Sequence, residues 1–478
     1  PLRDFDFVGF CLNYELNYTN ILGILDLAGI PLLSEDRNQD FPLIIAGGTS
    51  ASNPEPLADF IDLFLVGEAE EALPEIVEIY RKLKAESEGK DLSKKDILNE
   101  LVRVGGVYVP SFYDIDYSDD GLIKRVFSNN PNAPVRIRKR IVKNINEAYY
   151  PTDWLVPYVG IIHDRAAVEL MRGCPNLCNF CQARSFYHNV RLRSPEKVLE
   201  IAEKICRSSG YEEISLLSLS SSNYSHLAQI VSSLSGKFEG QAISLSLPSI
   251  RPGSYFTDLT EQMARVRKTT LTFAPESGTH KMRSRINKDF NIDELYATVL
   301  SAYKSGWQSV KLYFMIGLPG EDQDDLDGIL EVAKNVSEAR KSVVKFPAEV
   351  RASISFFIPK PHTAFEKEPM ESINSLRDKM QYLKKKSRSY SRSIKLNFHN
   401  LEMSFIEGVF SRGDRRLGEV LLLAYRKGCL LDSWFEHFKF DSWLEAFRES
   451  AIPAQRYLKS KPEGELLPWQ HIDLSVSA

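Results

Sequence analysis

AAVELMRGCPNLCNFCQ, residues 166–182, joins a short apolar strand to a loop that carries three cysteines within eight positions. AAVELM reads as a strand, and the chain after it is broken by Gly173, Pro175, Asn176 and Asn179. Cys174, Cys178 and Cys181 stand at i, i+4 and i+7, positions that share one face of a helix. The glycine, proline and asparagines among them argue against that helix. A zinc ion would need a fourth donor, which His188 offers. Three thiolates on a tight loop also suit a 4Fe-4S cluster. Such clusters are held by cysteine thiolates, and withholding the fourth leaves one iron with an open coordination position.

Working outward, the same strand–helix rhythm continues to about residue 390. SPEKVLEIAEKI opens a helix with Ser194 as cap and Pro195 at the first helical position. Strands are expected at EISLLSL, AISLSLP, TTLTFA, SVKLYFM and VRASISFF. Helices are expected around Tyr224–Leu234, Asp258–Val266, Ile292–Ser305, Asp322–Val336 and Ser372–Ser389. Six strand–helix units over roughly 220 residues are two short of a full eightfold barrel. The expected fold is therefore α/β, with a partial (β/α)6 TIM-like barrel over residues 159–398.

Residues 1–84 show a second alternation: FDFVGFCL, TNILGILDLAGI, PLIIAGGTS, then DLFLVGEAEEALPEIVEIYRKL. It implies a Rossmann-like unit of parallel strands with crossover helices, whose ligands bind beyond the strand C-termini. Pro1 stands directly before the first strand with no initiator Met, which points to missing first elements. Residues 85–158 read as a linker with a hairpin closed near Asp119–Gly121, and residues 399–478 as a mainly helical extension.

CPNLCNFC at the mouth of the first strand of a six-unit barrel resembles the radical S-adenosylmethionine superfamily. The resemblance implies that Cys174, Cys178 and Cys181 hold a 4Fe-4S cluster whose open iron chelates S-adenosylmethionine. One-electron reduction then yields methionine and a 5′-deoxyadenosyl radical. Phe180 matches the family's aromatic residue near the adenine. Ser220, Ser221 and Ser222 occupy the place of the usual Gly-Gly-Glu turn that binds the amino group. TFAPESGTHKMRSRINK resembles the segment that contacts ribose and methionine in methylthiotransferase-like members. It offers Glu276 for the ribose, with Arg283 or Arg285 for the carboxylate. FMIGLPGEDQDD matches a Gly-Leu-Pro-Gly-Glu turn, so Met315 and Ile316 would line the adenine while Gly317 and Gly320 allow close backbone approach. FFIPKPHT places Phe357 or Ile358 against the adenine; His362 reads as a structural cap. The N-terminal unit resembles the cobalamin-binding-type domain of an uncharacterised bacterial family of these enzymes. Gly47, Gly48, Thr49, Ser50, Gly67 and Glu68 would line the corrin's nucleotide tail, although no histidine precedes His163 to serve as a lower axial ligand.

Composition bounds what remains. A formal net charge of −4 argues against a strongly basic nucleic-acid binder. Two local patches, Lys379–Lys395 with Tyr382 and Tyr390 interleaved, and Arg136–Lys143, suit an RNA substrate or a plain solvated face. Six cysteines, with Cys11, Cys206 and Cys429 isolated, do not form a disulfide framework and fit the cytoplasm. They also give no second cluster for methylthiolation. No apolar run reaches the ~18 residues of a membrane span. Two functions from different classes follow. One is a radical enzyme fed by a flavodoxin- or ferredoxin-type donor, with cobalamin-dependent methyl transfer as its reaction. The other is a zinc-stabilised scaffold for RNA or protein.

Overall fold

The computed structural model describes residues 1–87, 92–187, 189–241, 243–247, 251–253, 271–390 and 392–475. Strands β1 (Phe7–Cys11), β2 (Leu43–Gly47) and β3 (Leu63–Leu65) are parallel neighbours, and β4 (Val107–Tyr108) adds antiparallel to β3. The helix Tyr18–Leu27 crosses over between β1 and β2, burying Ile21, Leu22 and Leu25. The helix Ala69–Glu86 follows β3.

The N-terminal unit therefore runs past the boundary expected at residue 84. Ser93 caps the helix Lys94–Leu101 by accepting from the Asp96 N–H, and β4 completes the sheet. Two strand residues beside a hairpin carry no period of their own, which hid β4 in the sequence. The hairpin itself is formed by β5 (Tyr113–Tyr117) and β6 (Ile123–Ser128), turning at Gly121, whose φ is 75°. Beyond it lies β7 (Ile137–Arg138).

The cysteine loop is framed by four short strands: β8 (Ala166–Glu169), β9 (Met171–Arg172), β10 (Arg191–Leu192) and β11 (Glu213–Leu217). β8, β11 and β12 (Ser244–Ser246) form one parallel sheet in the order β12-β11-β8. The helix Pro195–Ser209 packs between β8 and β11. Its Ser194 hydroxyl accepts from the Lys197 N–H, and Gly210 ends it in the left-handed conformation at φ 72°. A second parallel sheet contains β13 (Leu271–Glu276), β14 (Ser309–Ile316), β15 (Glu349–Phe356) and β16 (Ile394–Phe398), in that order. β16 is a parallel strand beyond the six expected; IKLNF is too short and too polar to announce it. The helix expected at Asp258–Val266 lies outside the described residues.

The tail is mainly helical. Its helices Leu401–Ser411, Leu417–Arg426 and Phe440–Glu449 share one apolar core with the N-terminal unit and the second sheet. Tyr18 meets Phe410 edge-to-face at 6.1 Å, and Asn53 donates to the carbonyls of Ser411 and Gly413. The last strand, β17 (Ile472–Asp473), pairs in parallel with β7. The first sheet keeps its own core around Val168, Ile201, Ile214 and Ile230. Among the described residues no helix is long and apolar enough to cross a membrane.

Candidate active site at the cysteine loop

β9 and β10 pair antiparallel, Arg191 with Arg172 and Leu192 with Met171, and so clasp the loop that holds the cysteines. Gly173 enters the loop at φ 96°, where a Cβ would lie 2.5 Å from the Asn189 carbonyl oxygen. Only glycine fits there. Residues 173–181 form no helix, so the shared-face reading of the three cysteines falls; the helix Gln182–Phe186 begins only after Cys181.

Cys178 is buried, while Cys174 and Cys181 are half-buried. Burial pushes the Cys178 thiol up; the Lys288 ammonium pulls it down, and Cys181, Glu276 and Cys174 add to the rise. Burial also raises Cys181, against N–H groups of Arg184 and Ala183 that favour its thiolate. The three thiols are therefore electrostatic neighbours, and loading a metal must displace their protons. Among the described residues no three His, Cys, Asp or Glu side chains are drawn together on a single ion, the three loop cysteines included. His188, the proposed fourth zinc donor, lies outside the described residues. Cys206 and Cys429 are buried elsewhere, so the loop's donor set is three sulfurs, which fits a cluster with one open iron.

Two loops are stitched to this one. The Asn176 amide donates to Cys174 Sγ at 3.2 Å and to Ser220 Oγ at 3.4 Å. Ser220 thus reaches the cysteines, whereas Ser221 is fully buried within its own turn, 2.9 Å from the Ser218 hydroxyl. On the other side, the Asn179 N–H donates to the Ile286 carbonyl at 2.9 Å. The Asn179 amide donates to the Arg285 carbonyl at 3.0 Å, and the Asn287 amide to the Leu177 carbonyl at 2.7 Å.

That stitching brings Lys288 to the cysteines, a residue the sequence did not single out. Its ammonium is 3.2 Å from Glu276, with both side chains largely buried. Glu276 ends β13 at φ 66°, and burial raises its pKa although Lys288 opposes the rise. Its carboxylate is thus already engaged, whatever else it accepts from. Arg283 is buried and donates to the Ser277 carbonyl at 3.1 Å, while Arg285 lies against Gly320. Lys288 and Arg283, with His280 and Asn287, also line a cavity of about 730 Å³.

The apolar candidates divide. Phe180, Met315 and Phe357 come together in one small cluster with Met282, Ile286, Leu318 and Phe365. Ile316 does not join it: strand alternation turns it into the main core, where it is fully buried. Gly317, at φ 82°, sits beneath Leu376, and its N–H donates to Glu321 at 2.8 Å. His362 Nε2 lies 3.0 Å from the Ser52 carbonyl oxygen, a structural tie.

At the N-terminal sheet, Gly47, Gly48 and Thr49 stand at the C-terminal end of β2, partly accessible beside exposed Cys11 and Asn13. Gly48 has φ 105°, and a Cβ there would lie 2.7 Å from the Leu12 carbonyl oxygen. This edge faces the cysteine loop. The Gln182 amide donates to Ser52 Oγ at 2.9 Å, and Tyr187 hydrogen-bonds Thr49. Gly67 and Glu68 are placed otherwise than expected. A Cβ on Gly67 would strike the Arg140 carbonyl oxygen. The buried Glu68 carboxylate pairs with Arg191 at 2.5 Å and Arg172 at 3.3 Å, and accepts from the Val142 N–H at 2.7 Å. These two residues build the joint between the N-terminal unit and the loop's clasp. No spacing in the sequence announces such a pairing, because its partners come from three distant segments.

Residues 168–333 match the family model of the radical SAM superfamily, and residues 1–110 match that of radical SAM proteins, N-terminal. The uncharacterised protein MJ0966 of Methanocaldococcus jannaschii is 27% identical over 94% of this chain and 87% of its own length. The tRNA-2-methylthio-N(6)-dimethylallyladenosine synthase of Clostridium novyi is 23% identical over 36% of this chain. The chain spans only 40% of that synthase's length. Among solved structures, the radical S-adenosylmethionine methyltransferase TsrM from Kitasatospora setae, with cobalamin and [4Fe-4S] cluster bound, has a TM-score of 0.49 at 13% identity. That match covers 76% of this chain and 66% of TsrM. The clasped cysteine loop lies inside the span of one matched model and the adjoining sheet inside the other, so the chain carries a radical SAM domain behind a radical SAM N-terminal domain.

Proposed function

We propose that Cys174, Cys178 and Cys181 hold a 4Fe-4S cluster and that S-adenosylmethionine lies over it. Its adenine would rest against Phe180, Met315 and Phe357, and its polar groups would meet Ser220 and Glu276. The reading rests on one observation above the rest. The clasp of β9 and β10 presents three neighbouring thiols at the end of the first strand, beside an apolar cluster built from three other segments. When bound, the cluster would pass one electron from an external donor of flavodoxin or ferredoxin type to the nucleotide, whose cleavage would give methionine and a 5′-deoxyadenosyl radical.

The partly open edge from Cys11 to Thr49, facing the same loop, would hold a cobalamin. When bound, that cofactor supplies a transferable methyl group. Methyl transfer is accordingly the reaction we assign. The basic patches lend RNA little support as substrate. Lys379 pairs with Glu321 and Glu371, Lys386 with Asp327, Lys395 with Glu349, and Arg140 with Glu71 and Glu75.

Anaerobic reconstitution tests the core of the reading. The expected product is brown, with about four irons per chain, and releases 5′-deoxyadenosine under dithionite; Cys174→Ala loses both. A colourless protein carrying one zinc supports the scaffold alternative instead. A full cluster that leaves S-adenosylmethionine uncut refutes the radical chemistry. Extraction of a corrin from the same protein checks the methyl-transfer assignment.

A further inference from the structure

We infer that Lys288, held between Glu276 and the cysteine loop, sets how readily the cluster accepts its electron. The inference rests on the cluster reading above and goes beyond it by giving Lys288 and Glu276 opposite electrostatic roles.

The placement is built by the chain. Asn287 adopts φ 52°, and its amide reaches back to the Leu177 carbonyl, between Cys174 and Cys178. The Lys288 N–H donates to the Arg283 carbonyl at 2.8 Å, closing the end of the helix His280–Arg285. Both bonds fix the backbone at and just before the lysine, and the two Asn179 bonds hold the segment 285–286 against the loop. Its ammonium, 15% exposed, is an electrostatic neighbour of both Cys178 and Cys181.

Three thiolates around a 4Fe-4S core leave a net anion, and reduction adds one further negative charge taken from the external donor. A fixed cation nearby stabilises the more negative state. Net charge and solvent exposure are among the factors that set the potentials of such clusters. Glu276 works in the opposite sense, because its carboxylate offsets part of the ammonium's field. A partly buried unit charge is felt through an effective dielectric of about 20. At that dielectric a charge roughly 12 Å from the added electron changes the reduction equilibrium about tenfold, a shift of about 59 mV for a one-electron couple.

The test is potentiometric EPR on the reconstituted full chain, without substrate. Lys288→Gln should lower the midpoint potential by about 59 mV, the equivalent of that tenfold change. Lys288→Arg should stay near wild type. Glu276→Gln, which frees the ammonium, should raise the potential. A merely structural pair would move both variants the same way or leave both unchanged, and either result overturns the inference. If Lys288→Gln assembles no cluster, Glu276→Gln alone decides: a rise supports the assignment, and a fall or no change overturns it. A wild-type chain that binds no cluster sinks the underlying reading instead, so the two failures are distinguishable.

Discussion

Replacing Glu55 with glutamine should unfasten the joint between the N-terminal unit and the tail. Glu55 opens the short turn Glu55–Leu57 and is fully buried. The Tyr108 hydroxyl donates to it at 2.5 Å and Arg415 Nε at 3.0 Å, while His471 Nε2 lies 3.3 Å away without hydrogen-bond alignment. Burial alone would raise its pKa, but Arg415, His471 and Tyr108 together hold it down from 4.5 to about 2. At 1.36 kcal/mol per pH unit, that depression stabilises the fold by about 3 kcal/mol at neutral pH. Because the folded value lies below the unfolded one, the contribution is complete above about pH 4.5 and is lost as pH falls toward 2. Glu55→Gln also leaves Arg415 buried without its counter-charge, which by itself costs about 3–5 kcal/mol in comparable sites. In a thermal melt at pH 7, the expected drop in Tm is roughly 6–20 °C, taking about 3–5 kcal/mol at 2–4 °C per kcal/mol. The gap from wild type should narrow below pH 4.5, and Glu55→Gln combined with Arg415→Met should recover part of the loss. A Tm within about 2 °C of wild type at pH 7, below what one kcal/mol would give, refutes the reasoning.

Two further variants probe the frame of the site. Glu68→Gln should cost about 2–3 kcal/mol, since Arg172 and Arg191 lose a shared buried carboxylate but keep Glu70, Glu169 and the Val142 carbonyl as partners. Hydrogen exchange should then speed up at residues 68–70 and 171–172 while the sheet of β13–β16 stays protected. Gly278→Ala should be harder to tolerate: a Cβ there would strike the backbone of Gly328 in the helix Gln323–Ala339. Backbone must shift to admit it, at a cost of about 1–3 kcal/mol, measurable as a lower urea midpoint.

The cysteine loop was legible because its residue types permit few conformations. Pro175 and the asparagines deny a helix, and Gly173 marks a sharp entry. The helix Pro195–Ser209 was equally plain, with Ser194 and Pro195 before it and Gly210 after it. The second sheet was readable because β14 and β15 are eight-residue apolar strands. What escaped was short or relational. β4, β7 and β17 have two residues each, too few for alternation to register. Ile316 was grouped with Met315 as one motif, yet neighbouring strand residues face opposite ways. Gly67 and Glu68 look like a ligand turn in one dimension; only the fold shows that Arg140, Arg172 and Arg191 fill that space. Lys288 sits in an undistinguished polar run, and its meaning comes wholly from Asn179 and Asn287.

The division of the cores gives the cysteine loop its mechanical setting. β8 and β11 belong to one apolar core, whereas the N-terminal unit, the second sheet and the tail helices share another. The loop hangs from the first core through β9 and is tied to the N-terminal unit by Glu68 with Arg172 and Arg191, and to the segment 285–287 by Asn179 and Asn287 and by the packing of Phe180 against the small cluster of Met282 and Ile286. Apolar packing is non-directional and tolerates small shifts, but hydrogen bonds and charge-assisted pairs weaken steeply with misalignment. A displacement between the two cores would therefore be felt first at the loop. The seating of the N-terminal unit is thereby joined to the entry of the cysteine loop through Glu68 and Arg172.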